Sequence, residues 1–193
     1  MQQDRETCKQ KLSSLEKILA LDIALTNRLR MEVDNSPGWK LAAFLAHSGD
    51  SWFWLLGLGL VWLVSTQWRS LSAFLILDIL LLAVLVMVIK FTFRRSRPPG
   101  EWGSIYRNTD PHSFPSGHAA RAVMLAVITA ALGPLWAAVG LFIWAILVSM
   151  SRIFTGMHYL SDVLAGMLLG LLSGVGFLWL RSSMEQYLPF LFF

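Results

Sequence analysis

Residues 70–91 read SLSAFLILDILLLAVLVMVIKF, with Asp78 and Lys90 the only ionisable groups in the stretch. A helix needs about 20 apolar residues to cross a bilayer core of roughly 30 Å, so this segment predicts a membrane span. Asp78 lies twelve residues before Lys90, which at ~1.5 Å per residue is roughly 18 Å along the axis. It is therefore expected to serve packing, neutral or hydrogen-bonded, rather than the polar end of the span.

Similar runs flank this one. Gly49-Asp50-Ser51 predicts the cap of a span over about 51–68, with Trp52, Trp54 and Trp68 near its ends, where interfacial tryptophan is favoured. Further spans are predicted from Ser116 or Gly117 to Leu132, from Leu135 to Met150 after a Gly133-Pro134 turn, and from Tyr159 to Leu180. Gly166, Gly170, Gly174 and Gly176 in the last would let another helix approach closely. The predicted fold is all-α, a polytopic transmembrane bundle of about five spans, with interfacial helices before it.

Upstream, residues 1–14 are polar and predicted to fray. Leu15–Met31 mixes apolar positions with Glu16, Lys17, Asp22, Arg28 and Arg30, a pattern for an amphipathic helix at the membrane surface. Asn35-Ser36-Pro37-Gly38 is a turn by composition, and Trp39–Ala46 a short interfacial helix. The chain thus divides into an N-terminal segment (1–48), a transmembrane core (49–181) and a C-terminal tail (182–193). His47, beside a glycine turn, is expected to be structural or solvated.

Composition agrees with a bilayer as solvent. Of 193 residues, 55% are hydrophobic and 15% charged, outside the range of soluble domains. The formal charge is +4; without a basic-aromatic surface motif it points to phosphate or anionic lipid and not to nucleic acid. Cys8 is the single cysteine, so no internal disulfide forms and no paired spacing suggests a metal. No cleavable signal is evident at the polar N-terminus.

Three polar clusters border the spans: Lys90–Pro98, Pro115–His118 and Ser151–Asp162. Spans three and four form a hairpin, so all three clusters share one membrane face. The residue types are those of phosphoryl transfer. Lys90, Arg97 and Arg152 would neutralise phosphate oxygens, the arginines through a planar fork. Ser116 and Gly117 open a helix, whose free N–H groups and dipole favour an anion. His118 is placed to protonate a leaving oxygen and then activate water. His158 is the candidate nucleophile, and Asp162, four residues on, would orient it if that segment is helical. Arg121, three residues after His118, and Arg94, four after Lys90, are candidates for a second phosphate; alternatively Arg121 binds a loop carbonyl or a carboxylate such as Asp110. His112 is expected to be non-catalytic.

The pattern K-x6-R-P, P-S-G-H and S-R-x5-H-x3-D resembles the type 2 phosphatidic acid phosphatase superfamily of membrane lipid phosphatases, over about residues 15–180. That resemblance implies phosphate binding by Lys90, Arg97, Ser116, Gly117 and Arg152, acid–base chemistry at His118, a phosphohistidine at His158 supported by Asp162, and no metal or cofactor. The stretches L-A-L-D-I-A-L-T-N-R-L, R-R-S-R-P and S-F-P-S-G-H-A-A-R look most like the polyisoprenoid diphosphate phosphatase branch. An isoprenoid diphosphate is therefore the expected substrate, with phosphatidic acid or phosphatidylglycerophosphate as the alternative and a catalytically silent scaffold as the other class. Haloperoxidases that use vanadium share the phosphate motifs but are soluble, unlike this chain. Many superfamily members have six spans; here the N-terminal segment looks too charged to be the first. The cations around the clusters would place the site in the cytoplasm by the positive-inside rule. The superfamily more often implies the extracytoplasmic or luminal face, of a cell or endoplasmic reticulum membrane, and the expectation leans that way.

Overall fold

The computed structural model describes residues 2–33, 36–100, 102–103 and 108–192, without the side chains of 2–12 and 15. Asn35 and the Cys8 side chain, which entered the reading above, lie outside the described residues. Among the described residues eight helices are bounded, in order: α1 (Gln2–Leu29), α2 (Pro37–Ser48), α3 (Ser51–Val64), α4 (Arg69–Phe93), α5 (Gly117–Leu132), α6 (Leu135–Phe154), α7 (Leu160–Tyr187) and α8 (Pro189–Phe192). Among the described residues there is no strand, only an isolated bridge between Ser96 and His112.

The molecule is all-α, and its apolar surface is that of a membrane protein. Helix α4 exposes Leu80, Leu81, Val84 and Val88, and α7 exposes Leu164, Leu168, Leu172 and Trp179, surfaces that a bilayer rather than water would solvate. The opposite side of α4 meets α5 in a core of Phe74, Ile79, Leu82, Met124, Leu125 and Ile128, against which Leu169 and Phe177 of α7 pack. Helices α4, α6 and α7 are long and apolar enough to span a membrane. Helices α3 and α5 have 14 and 16 residues, about 21 and 24 Å of helix, so five full crossings do not follow from length alone. The first predicted span is also shorter than expected, since α3 stops at Val64 and the Ser65 hydroxyl accepts from Trp68 N–H.

Local chemistry accounts for the joints. Ser36 caps α2 by accepting from Trp39 N–H at 3.2 Å. Gly133 and Pro134 close the α5–α6 hairpin, with Gly133 N–H donating to Thr129 O and the Pro134 carbonyl opening α6. Helices α5 and α7 touch backbone to backbone, because a Cβ at Gly166 or Gly170 would run into the Ser116 or Ala120 carbonyl. That contact brings the P-S-G-H cluster against the start of α7.

Both termini depart from expectation. Helix α1 begins at Gln2, so residues 2–14 continue a helix instead of fraying. Its apolar residues Ile18, Leu19, Leu21 and Ile23 face outward, while Asp22 and Thr26 are buried against the rest of the protein. The buried side of α1 is polar because it meets polar backbone: Thr26 Oγ1 accepts from Leu160 N–H and Asp22 Oδ1 from Ser161 N–H, capping α7 from outside. At the other end α7 runs to Tyr187, beyond the expected 181, and the following turn packs back. Trp62 Nε1 donates to Leu191 O, and Phe192 is buried.

Candidate active site

Three features of the chain path build the site. Helix α4 ends at Phe93 with Arg94 in the left-handed region (φ 48°), and the chain then lies against residues 112–113, with Ser113 N–H donating to Arg95 O. Helix α5 starts at Gly117, and Ser116 N–H donates to Asp162 O at 2.9 Å, fastening the second cluster to the third. After α6, Gly156 turns at φ +67°, where a side chain would strike Arg30. The N–H groups of Met157 and His158 then fold back onto Arg152 O.

These joints gather Lys90, Arg97, Gly117, His118, Arg121, Arg152 and His158 around one cavity of about 670 Å³. Asp50, Thr109 and Asp110 complete its polar wall, and Leu82, Ala83, Val86 and Met87 of α4 form an apolar one. His158 is almost fully buried. Its Nδ1 lies 2.8 Å from the Ser113 carbonyl, which only accepts, and its Nε2 lies 3.2 Å from an Arg97 nitrogen, which only donates. Both neighbours select one tautomer, with the proton on Nδ1 and the Nε2 lone pair toward Arg97, which borders the same cavity. Burial, followed by the Arg152, Arg97 and Lys90 cations, holds the His158 imidazole well below the ordinary histidine value, so it is neutral and nucleophilic near neutral pH.

The cations are held from behind. Arg97 donates through Nε to Asp110 O at 2.8 Å, through Nη1 to Met157 O at 3.0 Å and through Nη2 to the Asp110 carboxylate at 2.9 Å. Lys90 contacts the same carboxylate and donates to His112 O at 2.9 Å. Arg152, only 1% exposed, donates to Ala46 O. His118 Nε2 stands 2.7 Å from Asp50 Oδ1. Ser116 is fully buried and caps α5 through its hydroxyl, at 3.5 Å from Ala119 N; Gly117, not the Ser116 hydroxyl, borders the cavity. His112 contributes its carbonyl to Lys90 and packs its ring on Phe91. His47 is half exposed, 3.5 Å from Asp50.

Three expectations need correction. Asp162 does not accept the His158 proton: Nδ1 and Oδ2 are 3.8 Å apart. The reason is that α7 begins at Leu160, so His158 precedes the helix and the i,i+4 geometry does not apply. Asp162 instead turns back to accept from Tyr159 N–H, closing a capping box, and takes a 2.7 Å ion pair from Arg95. Arg94 is exposed and donates to Phe91 O, away from the cavity, because α4 ends before it. Asp50 occupies the N-cap position of α3 but makes no side-chain cap bond; its carboxylate goes to His118. For Arg121 the loop-carbonyl alternative is what the geometry realises, since the guanidinium donates to Gly49 O. Lys90 and Arg97, rather than Arg121, take Asp110.

From the sequence, Asp50 has only a capping role, Asp110 only a possible contact with Arg121, and Arg95 none. Arg95 joins Asp162, Asp22 and Ser161 in one network. Its only signal was the run of arginines around it. Among the described residues no cluster of metal-ligating side chains forms.

The chain is an apolar helical bundle with a membrane protein's surface, and its cavity sets His118 and His158 among buried cations, a charge arrangement suited to an anion. Residues 71–184, more than half of the chain, match the PAP2 superfamily, and the chain belongs to it. It is 33% identical over 134 residues to an undecaprenyl-diphosphatase of Sulfolobus acidocaldarius, a match covering 67% of this chain and 64% of that relative's length. It is 29% identical over 187 residues to a probable lipid phosphate phosphatase beta of Arabidopsis thaliana, covering 82% and 87%. The fold is similar to that of LpxE from Aquifex aeolicus, with TM-score 0.64, 26% identity and coverage of 82% and 94%. It is also similar to a transmembrane PAP2-type phosphatidylglycerolphosphate phosphatase from Bacillus subtilis, with TM-score 0.69, 20% identity and 89% of each chain covered.

Proposed function

We propose that this protein is an integral membrane phosphatase that removes the terminal phosphate of an isoprenoid diphosphate through a phosphohistidine, without a metal. The observation that carries the reading is the His158 tautomer: Ser113 O accepts the Nδ1 proton, and Nε2 keeps the lone pair, which would attack once its Arg97 donor turns to a phosphate oxygen. The apolar wall from Leu82 to Met87 suits a lipid next to that nitrogen. The similarity to an undecaprenyl-diphosphatase favours a diphosphate over a phosphatidate.

In the first step the Nε2 lone pair bonds to the terminal phosphorus, and the bond from phosphorus to the bridging oxygen breaks. Lys90, Arg97 and Arg152 neutralise the non-bridging oxygens, and His118 gives its proton to the leaving lipid monophosphate. In the second step His118 takes a proton from water, the hydroxide attacks phosphorus, and the P–N bond breaks to release inorganic phosphate and His158. Asp50 orients His118 in both steps; Arg95 fixes the Asp162 carboxylate, which lies behind His158.

The site cations have local partners in Asp110, Asp22, Asp162 and backbone carbonyls. Their number on the site face therefore reflects the site itself rather than topology. That weakens the argument for the cytoplasmic face and leaves the extracytoplasmic or luminal one as our reading, which labelling of a cysteine placed at Thr109 by an impermeant reagent in intact cells tests.

The activity is tested on purified protein with farnesyl diphosphate, farnesyl monophosphate, phosphatidate and phosphatidylglycerophosphate. Phosphate release from the diphosphate should persist in EDTA, fall with vanadate, and vanish in His158→Ala along with acid-labile phosphoenzyme. Activity lost to chelation and restored by a divalent cation would reject the mechanism; no release from any ester would leave the scaffold reading.

A further inference from the structure

The cavity that would hold the substrate phosphate contains an anion of the protein's own. Asp110 is on the loop before α5, and its side chain is 31% exposed. Its Oδ2 contacts both Lys90 Nζ and Arg97, which are 3% and 4% exposed and take part in the proposed phosphate binding. Two buried cations thus share one carboxylate oxygen, which has the size and charge of a phosphate oxygen. The same carboxylate borders the cavity with His158 and His118.

We propose that Asp110 is a specificity-determining residue, whose carboxylate is displaced from Lys90 and Arg97 by a dianionic phosphoryl group and not by a phosphodiester. The inference rests on the lipid phosphatase reading. A site at a membrane face is surrounded by phospholipid diesters, each carrying a single negative charge on phosphorus. Exchanging the Asp110 carboxylate for a diester replaces one monoanion by another and gains no charge neutralisation. A terminal phosphate, with a second ionisation near pH 6, carries about −1.5 to −2 at neutral pH and gains from the exchange. The competing carboxylate lowers affinity for every anion, but it lowers diester binding to the point where the abundant lipid no longer fills the site. Arg97 keeps its bond to the Asp110 backbone carbonyl when the side chain leaves, so the cation stays positioned through the exchange.

The test compares wild type, Asp110→Asn, Asp110→Ser and Asp110→Glu as full chains in detergent micelles. The ligands are inorganic phosphate and a short-chain phosphatidylglycerol, each measured as an inhibitor of farnesyl monophosphate hydrolysis and by calorimetric titration. Loss of a charge-assisted contact corresponds to roughly tenfold or more in affinity. Asn and Ser should therefore bind the diester about tenfold or more tightly and lower KM for the ester, whereas Glu should retain wild-type discrimination. Unchanged or weaker diester binding in Asn and Ser, or a raised KM, would overturn the proposal and make Asp110 a support of the two cations. A wild type that hydrolyses no phosphate ester would refute the phosphatase reading instead, and the titrations would still decide whether Asp110 excludes a diester.

Discussion

Asp50→Asn isolates the support of the proposed acid. The substitution keeps the side chain's size, and the amide oxygen still accepts from His118 Nε2 across the present 2.7 Å contact. What disappears is the negative charge that offsets the imidazolium. Asp50 is only 14% exposed, so solvent screens little of the interaction. A hydrogen bond to a charged group contributes about 1.5–3 kcal/mol; expressed wholly in the transition state, that is a rate loss of roughly 10–150-fold. The loss should depend on the leaving group. A farnesyl monophosphate must expel an alkoxide, which requires a proton. A farnesyl diphosphate expels a phosphate monoester, a stable anion that requires one far less. The assay is kcat/KM for both substrates on wild type and variant, with folding checked by thermal unfolding in detergent. The monophosphate should lose the larger factor. Parallel losses would refute the assignment of His118 as proton donor, and no loss would refute Asp50 as its support.

Arg121→Ala should show the same skew in weaker form, because the guanidinium holds the Gly49 carbonyl beside Asp50; a larger loss on the diphosphate would assign Arg121 to a second phosphate instead. Gly170→Ala places a Cβ against the Ala120 carbonyl and should lower stability by about 1–3 kcal/mol, read as a lower unfolding midpoint. Gly176→Ala meets open space and should be neutral or slightly stabilising; equal effects at the two positions would contradict the α5–α7 packing. The neutral form of His158 attacks, and its proton affinity is depressed. Phosphoenzyme formation should therefore persist from pH 7.5 to about 6, below the ordinary histidine value of ~6.5. The same depression makes the folded state lose stability as pH falls through that value, because the unfolded chain takes the proton first. An acid limb centred at or above ~6.5 for that step would refute the assignment.

The three long apolar helices were legible because a bilayer imposes length and apolarity on consecutive residues, and residues 70–91 satisfy both without reference to any other part of the chain. The N-terminal helix was less so. The number of its charges argues for the membrane surface but does not say where each charge finds a partner. Asp22 meets Arg95 and the Ser161 N–H, and Arg30 donates to Pro99 O at 2.5 Å. A polar face against polar loops and an apolar face outward is the reverse of a soluble amphipathic helix. Periodicity has no sign that distinguishes the two.

Within the site, the motifs contain Lys90, Arg97, Gly117, His118, Arg152 and His158, which border the cavity, but their spacing did not give the bonds among them. The reason is competition for partners at helix ends. Asp162 is at the third position of α7, where a carboxylate is drawn to the free N–H groups of the first turn; Tyr159 N–H takes it, and His158 must find Ser113 instead. At the N-cap of α3 the competition goes the other way, and Asp50 leaves its helix for His118. Adjacent arginines show the same sensitivity. Continued by one turn, α4 would carry Arg94 toward the cavity. Its stop at Phe93 sends Arg94 to Phe91 O and Arg95 to Asp22 and Asp162. Each outcome depends on where a helix ends to within a residue or two, which is the least determined property of a helix read from sequence. A polar side chain near such an end has two destinations, its own backbone or a neighbour's charge, and the choice is made by the neighbour.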